Sequence, residues 1–193
     1  GSFLGSQKEV APGWDLWFTQ FENKAYYEWK ASKNGRLVSF GDGDSDHLTE
    51  VTNRRATAWT RKLVRKPEPF YLQVDYYAPH GAPGRDRRCL FGPVPAPRDE
   101  GVFDQQPLAQ PPSFNEADVS DKPASIAGRP LLGPGAVDQI TRRYRCALES
   151  LLGVDRGIAR IYNAVARHGE LGRTVFIFTS DNGYYFGEHR IDR

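Results

Sequence analysis

Thr174-Val-Phe-Ile-Phe-Thr-Ser-Asp-Asn-Gly183, continued by Tyr184-Tyr-Phe-Gly-Glu-His189, is the stretch on which the reading of this 193-residue chain turns. Val175 to Phe178 is an apolar run of β-branched and aromatic residues, the pattern of a strand buried on both faces. The run stops at Ser180, Asp181, Asn182 and Gly183. In open α/β sheets, ligands bind in the crevice beyond the carboxyl ends of the strands, so a carboxylate beside an amide there suggests a cation or substrate site. The competing reading is an Asn-Gly turn closing a strand, since Asp-Asn-Gly is ordinary turn chemistry.

Upstream, Ile140, Tyr144, Ala147, Leu148, Leu151, Val154, Ile158, Ile161 and Val165 recur every three or four residues. That spacing predicts one helix of roughly 30 residues, interrupted at most by Gly153 and Gly157 and capped at His168-Gly169. Phe70 to Tyr77 predicts a second strand, ending at Ala78-Pro79-His80-Gly81. Val51, Ala56, Trp59, Leu63 and Val64 fall on one helical face between Leu48 and Val64, with a basic opposite face. Tyr26–Ser32 and Arg36–Phe40 flank Lys33-Asn34-Gly35 and predict a β-hairpin. Gly41-Asp-Gly-Asp-Ser-Asp46 reads as a turn into the helix. Its Gly and Glu offsets are wrong for a calcium loop. Trp14, Trp17 and Phe18 suggest one helical turn or an irregular packed segment. Residues 1–13 read as a lead-in, and residues 81–135 as a Pro- and Gly-rich loop region framing a cleft.

The totals bound the answer. At 39% hydrophobic the chain can form one sizeable core, and one domain over residues 1–193 is the expectation. A net charge of +2 gives no nucleic-acid footprint, and no apolar run approaches the roughly 20 residues of a membrane span. Cys89 and Cys146 sit in unrelated contexts without metal-ligand spacing, which supports neither a disulfide framework nor a zinc knuckle, so buried or idle thiols are expected. No Asn opens an acceptor pattern for glycosylation. Met is absent, and Gly1-Ser2 has the look of a tag remnant, which predicts a fragment.

If the two strands run parallel, His80 and the Asp181-Asn182 pair come to one sheet edge. Hard oxygen donors suit Ca²⁺ or Mg²⁺, and a single His without Cys partners argues against a closed zinc site. At this point the sequence resembles the sulfatase family of the alkaline-phosphatase-like superfamily. The matching residues are Phe178-Thr-Ser-Asp-Asn-Gly-Tyr-Tyr-Phe-Gly-Glu-His189, Ser150–Ile161, Pro69–Phe70 through Ala78-Pro79-His80, Pro12-Gly-Trp-Asp15 and Pro95-Ala-Pro-Arg98, the last two similar to bacterial arylsulfatase-type sequences.

The resemblance implies an α/β fold, a sandwich of helices around a mostly parallel or mixed sheet, here incomplete and carrying a β-hairpin insertion. It implies that Asp181 and Asn182 are metal ligands for calcium, with magnesium as the alternative. His80 would contact the sulfate ester near its leaving oxygen and serve as the candidate general acid. His189 would bind substrate. The family's nucleophile is a formylglycine made within a Cys/Ser-x-Pro-x-Arg motif; Cys89 and Cys146 open neither such motif. Nothing here corresponds to the family's first aspartate pair or to its lysine beyond the Gly-Glu-His segment. A middle portion of a sulfatase, without turnover alone, is therefore expected, acting in its whole form on a sulfate-ester small molecule or a sulfated glycan. Family members are often secreted, periplasmic or lysosomal.

Two other readings stand beside it: a phosphate or phosphonate ester hydrolase of the same superfamily, and a non-catalytic module presenting Trp and Tyr to a carbohydrate or protein. A truncated sheet also predicts self-association through uncovered edges.

Overall fold

A computed structural model describes residues 9–21, 25–82 and 88–192. The element order is β1 (Phe18–Phe21), β2 (Lys30–Lys33), β3 (Arg36–Ser39), α1 (Leu48–Leu63), α2 (Ala124–Ala127) and α3 (Pro134–Ala166), with two short 3₁₀ turns between them and a third, Leu171–Arg173, after α3. Most of the expected lead-in, residues 1–8, lies outside the described residues, as do 83–87 of the loop region.

The hairpin forms where Asn-Gly demands it. Asn34 and Gly35 both take left-handed backbone angles, φ 49° and 80°. That pair matches the right-handed twist of the flanking strands and closes a two-residue turn between β2 and β3. The Asn34 side-chain oxygen accepts from the Trp17 amide at 2.7 Å, and the Asn34 amide donates to the Trp17 carbonyl at 2.9 Å. Those two bonds bring in β1, which pairs antiparallel with β2. The segment expected to be helical or irregular around Phe18 is thus an edge strand, recruited by a contact between residues 17 apart.

The inner face of this sheet lies on α1. Trp29 is fully buried and stacks on Phe40 at 4.0 Å, with Phe18 edge-on to both. Tyr26, Ala31, Leu48, Val51, Ala78, Ala82 and Val154 complete the cluster. The Asp-rich segment before α1 is a 3₁₀ turn over Asp44–Asp46, as a lead into a helix requires.

Helix α3 runs 33 residues without a break at Gly153 or Gly157. The two glycines lie where α3 crosses α1: a Cβ on Gly157 would meet the Asn53 side chain at 1.9 Å, and one on Gly153 would meet Thr49 at 3.0 Å. Their small size permits the crossing. The helix ends at Ala166, and Gly169, φ 73°, turns the chain out of it in the left-handed region.

Two expected strands differ from the reading above. Phe70 to Tyr77 carries strand alternation, with Leu72, Val74 and Tyr76 half-buried and Tyr71, Gln73 and Asp75 exposed, yet it pairs with no described strand. Val175 to Phe178 likewise lies outside any sheet. Far from being buried on both faces, Val175, Ile177 and Phe178 are 85%, 85% and 80% exposed. Strand burial depends on neighbouring strands, and among the described residues none lies beside either segment. The one sheet described is antiparallel, so the mostly parallel sheet and the edge that would gather His80 and Asp181 are not formed within them.

The cysteines also differ: Cys89 and Cys146 form a disulfide with a Cα–Cα distance of 5.8 Å. Fifty-seven residues separate them, so no local spacing could announce the pair. Beside it Arg88 makes a two-pronged ion pair with fully buried Glu149, 3.1 and 2.5 Å, one turn along α3. These two links pin the loop region to α3.

Candidate active site

His80 closes the Phe70–Tyr77 segment after a cis Ala78-Pro79 peptide. Its backbone is held: the amide donates to the Tyr77 carbonyl at 2.8 Å, and its own carbonyl accepts from the buried Tyr26 hydroxyl at 2.8 Å. The imidazole is exposed, stacked on the Tyr77 ring at 4.9 Å, with Nδ1 2.5 Å from the Gly81 carbonyl. A carbonyl can only accept, so Nδ1 carries the hydrogen. With Nδ1 so engaged, Nε2 of the neutral ring is the acceptor nitrogen.

Asp181 and Asn182 lie exposed beyond the Val175–Phe178 run. The Asn182 amide nitrogen donates to the Gly183 carbonyl at 2.8 Å, and the Ser180 hydroxyl donates to the Asn182 carbonyl at 2.7 Å. The bond to Gly183 engages the amide nitrogen and leaves the side-chain oxygen open for a ligand. The chemistry of these two donors fits a hard divalent cation, but calcium takes six to eight oxygens. Among the described residues no group of three or more His, Cys, Asp or Glu side chains is disposed to hold a metal. The pair by itself supplies two oxygen donors, short of a calcium shell.

His189 is placed differently, by two loop segments that grip each other. Phe114 bridges Glu188, the Asn115 amide donates to the Gly187 carbonyl at 2.8 Å, and the His189 amide donates to the Ser113 carbonyl at 2.8 Å. The Arg190 guanidinium donates to the carbonyls of Glu116, Ala117 and Arg129 at 2.9, 2.8 and 2.6 Å. His189 Nδ1 lies 2.5 Å from Glu116 Oε2, and Lys122 Nζ lies 3.3 Å from Glu116 Oε1. The hydrogen bond from His189, helped by Lys122, holds the Glu116 carboxyl below its usual range. Sequence reading passed over Glu116 and Lys122, which stand within the expected loop region. Their only signal there is the run Asn115-Glu-Ala-Asp-Val-Ser-Asp-Lys122, itself no motif.

Among the described residues no hydrogen bond, ion pair or ring contact joins His80, the Asp181-Asn182 pair and His189 to one another. Each is set by its own local frame. A cleft of about 240 Å³ lined by Asp44, Glu50, Arg54 and Arg98 includes none of them. Glu50 and Arg98 of its lining are already paired: Arg98 and Arg156 pair with Glu50, and Arg156 grips Asp99 at 2.6 and 2.5 Å. That network ties α1 to α3 and the Pro97–Asp99 turn, and we read it as structural.

No helix of the described residues is long and apolar enough to cross a membrane. No solved structure matches the chain. Curated relatives do. The chain is 33% identical to an arylsulfatase of Volvox carteri over 82% of its own length and 26% of the relative's. It is 31% identical to an arylsulfatase of Chlamydomonas reinhardtii, covering 85% and 27%. To the N-acetylglucosamine-6-sulfatase of Homo sapiens it is 25% identical, covering 95% and 32%. The chain thus spans about a quarter to a third of the length of these relatives. The family model described as sulfatase matches residues 3–193, the span that holds His80, the Asp181-Asn182 pair and the His189 clamp, and the chain belongs to the sulfatase family.

Proposed function

We propose that this chain is part of a sulfate-ester hydrolase, acting in its whole form on a sulfated small molecule or glycan. The observation that carries the reading is the family match over residues 3–193, the span that contains His80, Asp181, Asn182 and His189. In this reading Asp181 and Asn182 hold a divalent cation, calcium first and magnesium second, which would supply positive charge to the non-bridging sulfate oxygens. His80, with Nδ1–H committed to Gly81, donates in its imidazolium form from Nε2–H to the leaving oxygen as general acid. His189, when protonated, donates from Nε2–H to a sulfate oxygen. Formylglycine would be the nucleophile, and no Cys/Ser-x-Pro-x-Arg sequence occurs in this chain.

The test is hydrolysis of an aryl sulfate by the 193-residue chain, run beside thermal unfolding with and without Ca²⁺. The reading expects no turnover by the chain alone and a Ca²⁺-dependent rise in the midpoint that Asp181→Ala abolishes. Turnover by the chain alone would overturn the assignment of the nucleophile. Turnover of a phosphate ester in preference to a sulfate ester would move the assignment to the phosphate branch of the superfamily.

A further inference from the structure

The arrangement around His189 is over-determined in a way that folding alone does not require. Asn115, Gly187, His189 and Arg190 all sit in the left-handed region, φ 45°, 107°, 51° and 61°. For the three with side chains this conformation is unfavourable, and it persists only where surrounding contacts enforce it. Here the enforcing contacts are the Phe114–Glu188 bridge and the three carbonyls that Arg190 caps. Gly187 has no alternative residue, since a Cβ would lie 2.4 Å from the Phe114 ring.

The product of this frame is one imidazole with its two nitrogens treated unequally. Nδ1 faces Glu116 at 2.5 Å, and Glu116 is itself fixed by Lys122, which Asp121 also grips at 2.7 Å. Nε2 has no partner among the described residues, and the side chain stays 32% exposed. The other groups around the ring are accounted for: Tyr185 lies edge-on at 6.3 Å, and Arg190 spends its donors on backbone carbonyls. A histidine serving packing alone would not need one nitrogen locked to a carboxylate and the other left open.

We propose that Glu116 is the positioning residue for His189: its carboxylate accepts from Nδ1–H and so fixes the ring with Nε2 left free, the nitrogen whose N–H, in the imidazolium form, donates to an anionic substrate oxygen. A neutral imidazole in water favours the hydrogen on Nε2; a carboxylate at Nδ1 reverses that choice. When the ring is protonated, the Glu116 charge balances it and Nε2–H donates. This assignment rests on the reading of His189 as a substrate-binding group, but its geometry can be tested without any substrate.

The experiment is two-dimensional ¹H–¹⁵N spectroscopy of the imidazoles in the 193-residue chain, recorded from acid to about pH 8.5, well above the ordinary histidine pKa of about 6.5. The expected result is a His189 Nδ1 that keeps a protonated-nitrogen shift throughout, while Nε2 alone titrates. Glu116→Ala should return the ring to the Nε2–H form, and Glu116→Gln, whose amide oxygen still accepts, should preserve Nδ1–H. A wild-type His189 found in the Nε2–H form overturns the proposal whatever the variants do. An unchanged tautomer in a folded Glu116→Ala chain does the same. Neither outcome bears on sulfate-ester turnover, so failure here is separable from failure of the functional assignment.

Discussion

Asn53 and Gly157 meet face to face where α1 crosses α3, so closely that a Cβ on Gly157 would lie 1.9 Å from the Asn53 side-chain oxygen and 2.3 Å from the Tyr76 hydroxyl. Asn53 is fully buried, and its two polar atoms are both used: the nitrogen donates to the Gly153 carbonyl at 2.8 Å and the oxygen accepts from Tyr76 at 2.7 Å. Three parts of the chain, α1, α3 and the Phe70–Tyr77 segment, are joined at one amide. Gly157→Ala should therefore destabilise by about 2 kcal/mol or more, since overpacking a close crossing costs about 1–3 kcal/mol and here displaces hydrogen bonds too. In an exposed helix the same change would gain up to ~1 kcal/mol. Urea unfolding distinguishes the two, and an unchanged or higher midpoint would show that the helices do not cross here.

Tyr76→Phe probes the same junction from the other side. It removes the hydroxyl while leaving the ring, so Asn53 keeps a buried oxygen without a donor. The expected loss is about 1–3 kcal/mol. Burial, with Glu50 nearby, pushes the Tyr76 hydroxyl up to about 12, so wild-type and variant curves should stay parallel through neutral pH. Phe70–Tyr77 pairs with no described strand, so this hydrogen bond is a principal anchor of the segment that carries His80, and Tyr76→Phe should also speed amide exchange there.

Much of this was legible in the sequence where the signal is local. Asn34-Gly35 specifies its own turn, and the three- and four-residue recurrences from Ile140 to Val165 specify α3. What escaped was set by partners far away in the chain. The disulfide joins residues 57 apart, Asn53 reaches Gly153 across 100, and Glu116 reaches His189 across 73. Val175–Phe178 shows the converse: its composition states what such a run would bury, but not whether a neighbour is present to bury it. At the candidate site, the types at His80, Asp181 and Asn182 could be read, whereas Glu116 lay within what read as featureless loop.

The Cys89–Cys146 bridge should contribute strongly, because it closes a long loop. In the chain-entropy account a loop of this length is worth about 4 kcal/mol. Changing both cysteines to Ser, or unfolding under a reductant, should lower stability by roughly that amount. The Arg88–Glu149 pair should suffer with it, since both links fasten the same segment to α3. Reduction without effect on the unfolding midpoint would refute the bridge.

His47 makes stability depend on pH. It is buried between the Tyr26 and Tyr27 rings, with Nε2 3.0 Å from the Val94 carbonyl and Nδ1 without a partner among the described residues. Burial lowers its pKa below the ordinary 6.5, outweighing the Val94 carbonyl. Above about pH 6.5 the ring is neutral in both folded and unfolded chains and contributes no slope. As pH falls below that value the unfolded chain takes up the proton first, so stability declines until the folded ring also titrates. The difference between wild type and His47→Gln, followed by urea unfolding from about pH 8 to 5, isolates this effect from carboxylates such as Glu50 and Glu116, which lose their contributions at lower pH. A difference that stays flat across that window would place His47 in water.

Association is expected to follow from Val175–Phe178. Three of its four side chains are at least 80% exposed, the fourth rests on Tyr162, and no described strand satisfies the run's outward backbone groups. An exposed apolar run with open edges is a template for pairing with another copy. Light scattering of the 193-residue chain should therefore report concentration-dependent assemblies. Val175→Lys with Ile177→Lys, which places charge on the two most exposed positions, should shift the chain towards monomer without lowering its unfolding midpoint, because neither side chain packs on the core. A wild-type chain that stays monodisperse at every concentration would mean that this edge is covered in solution.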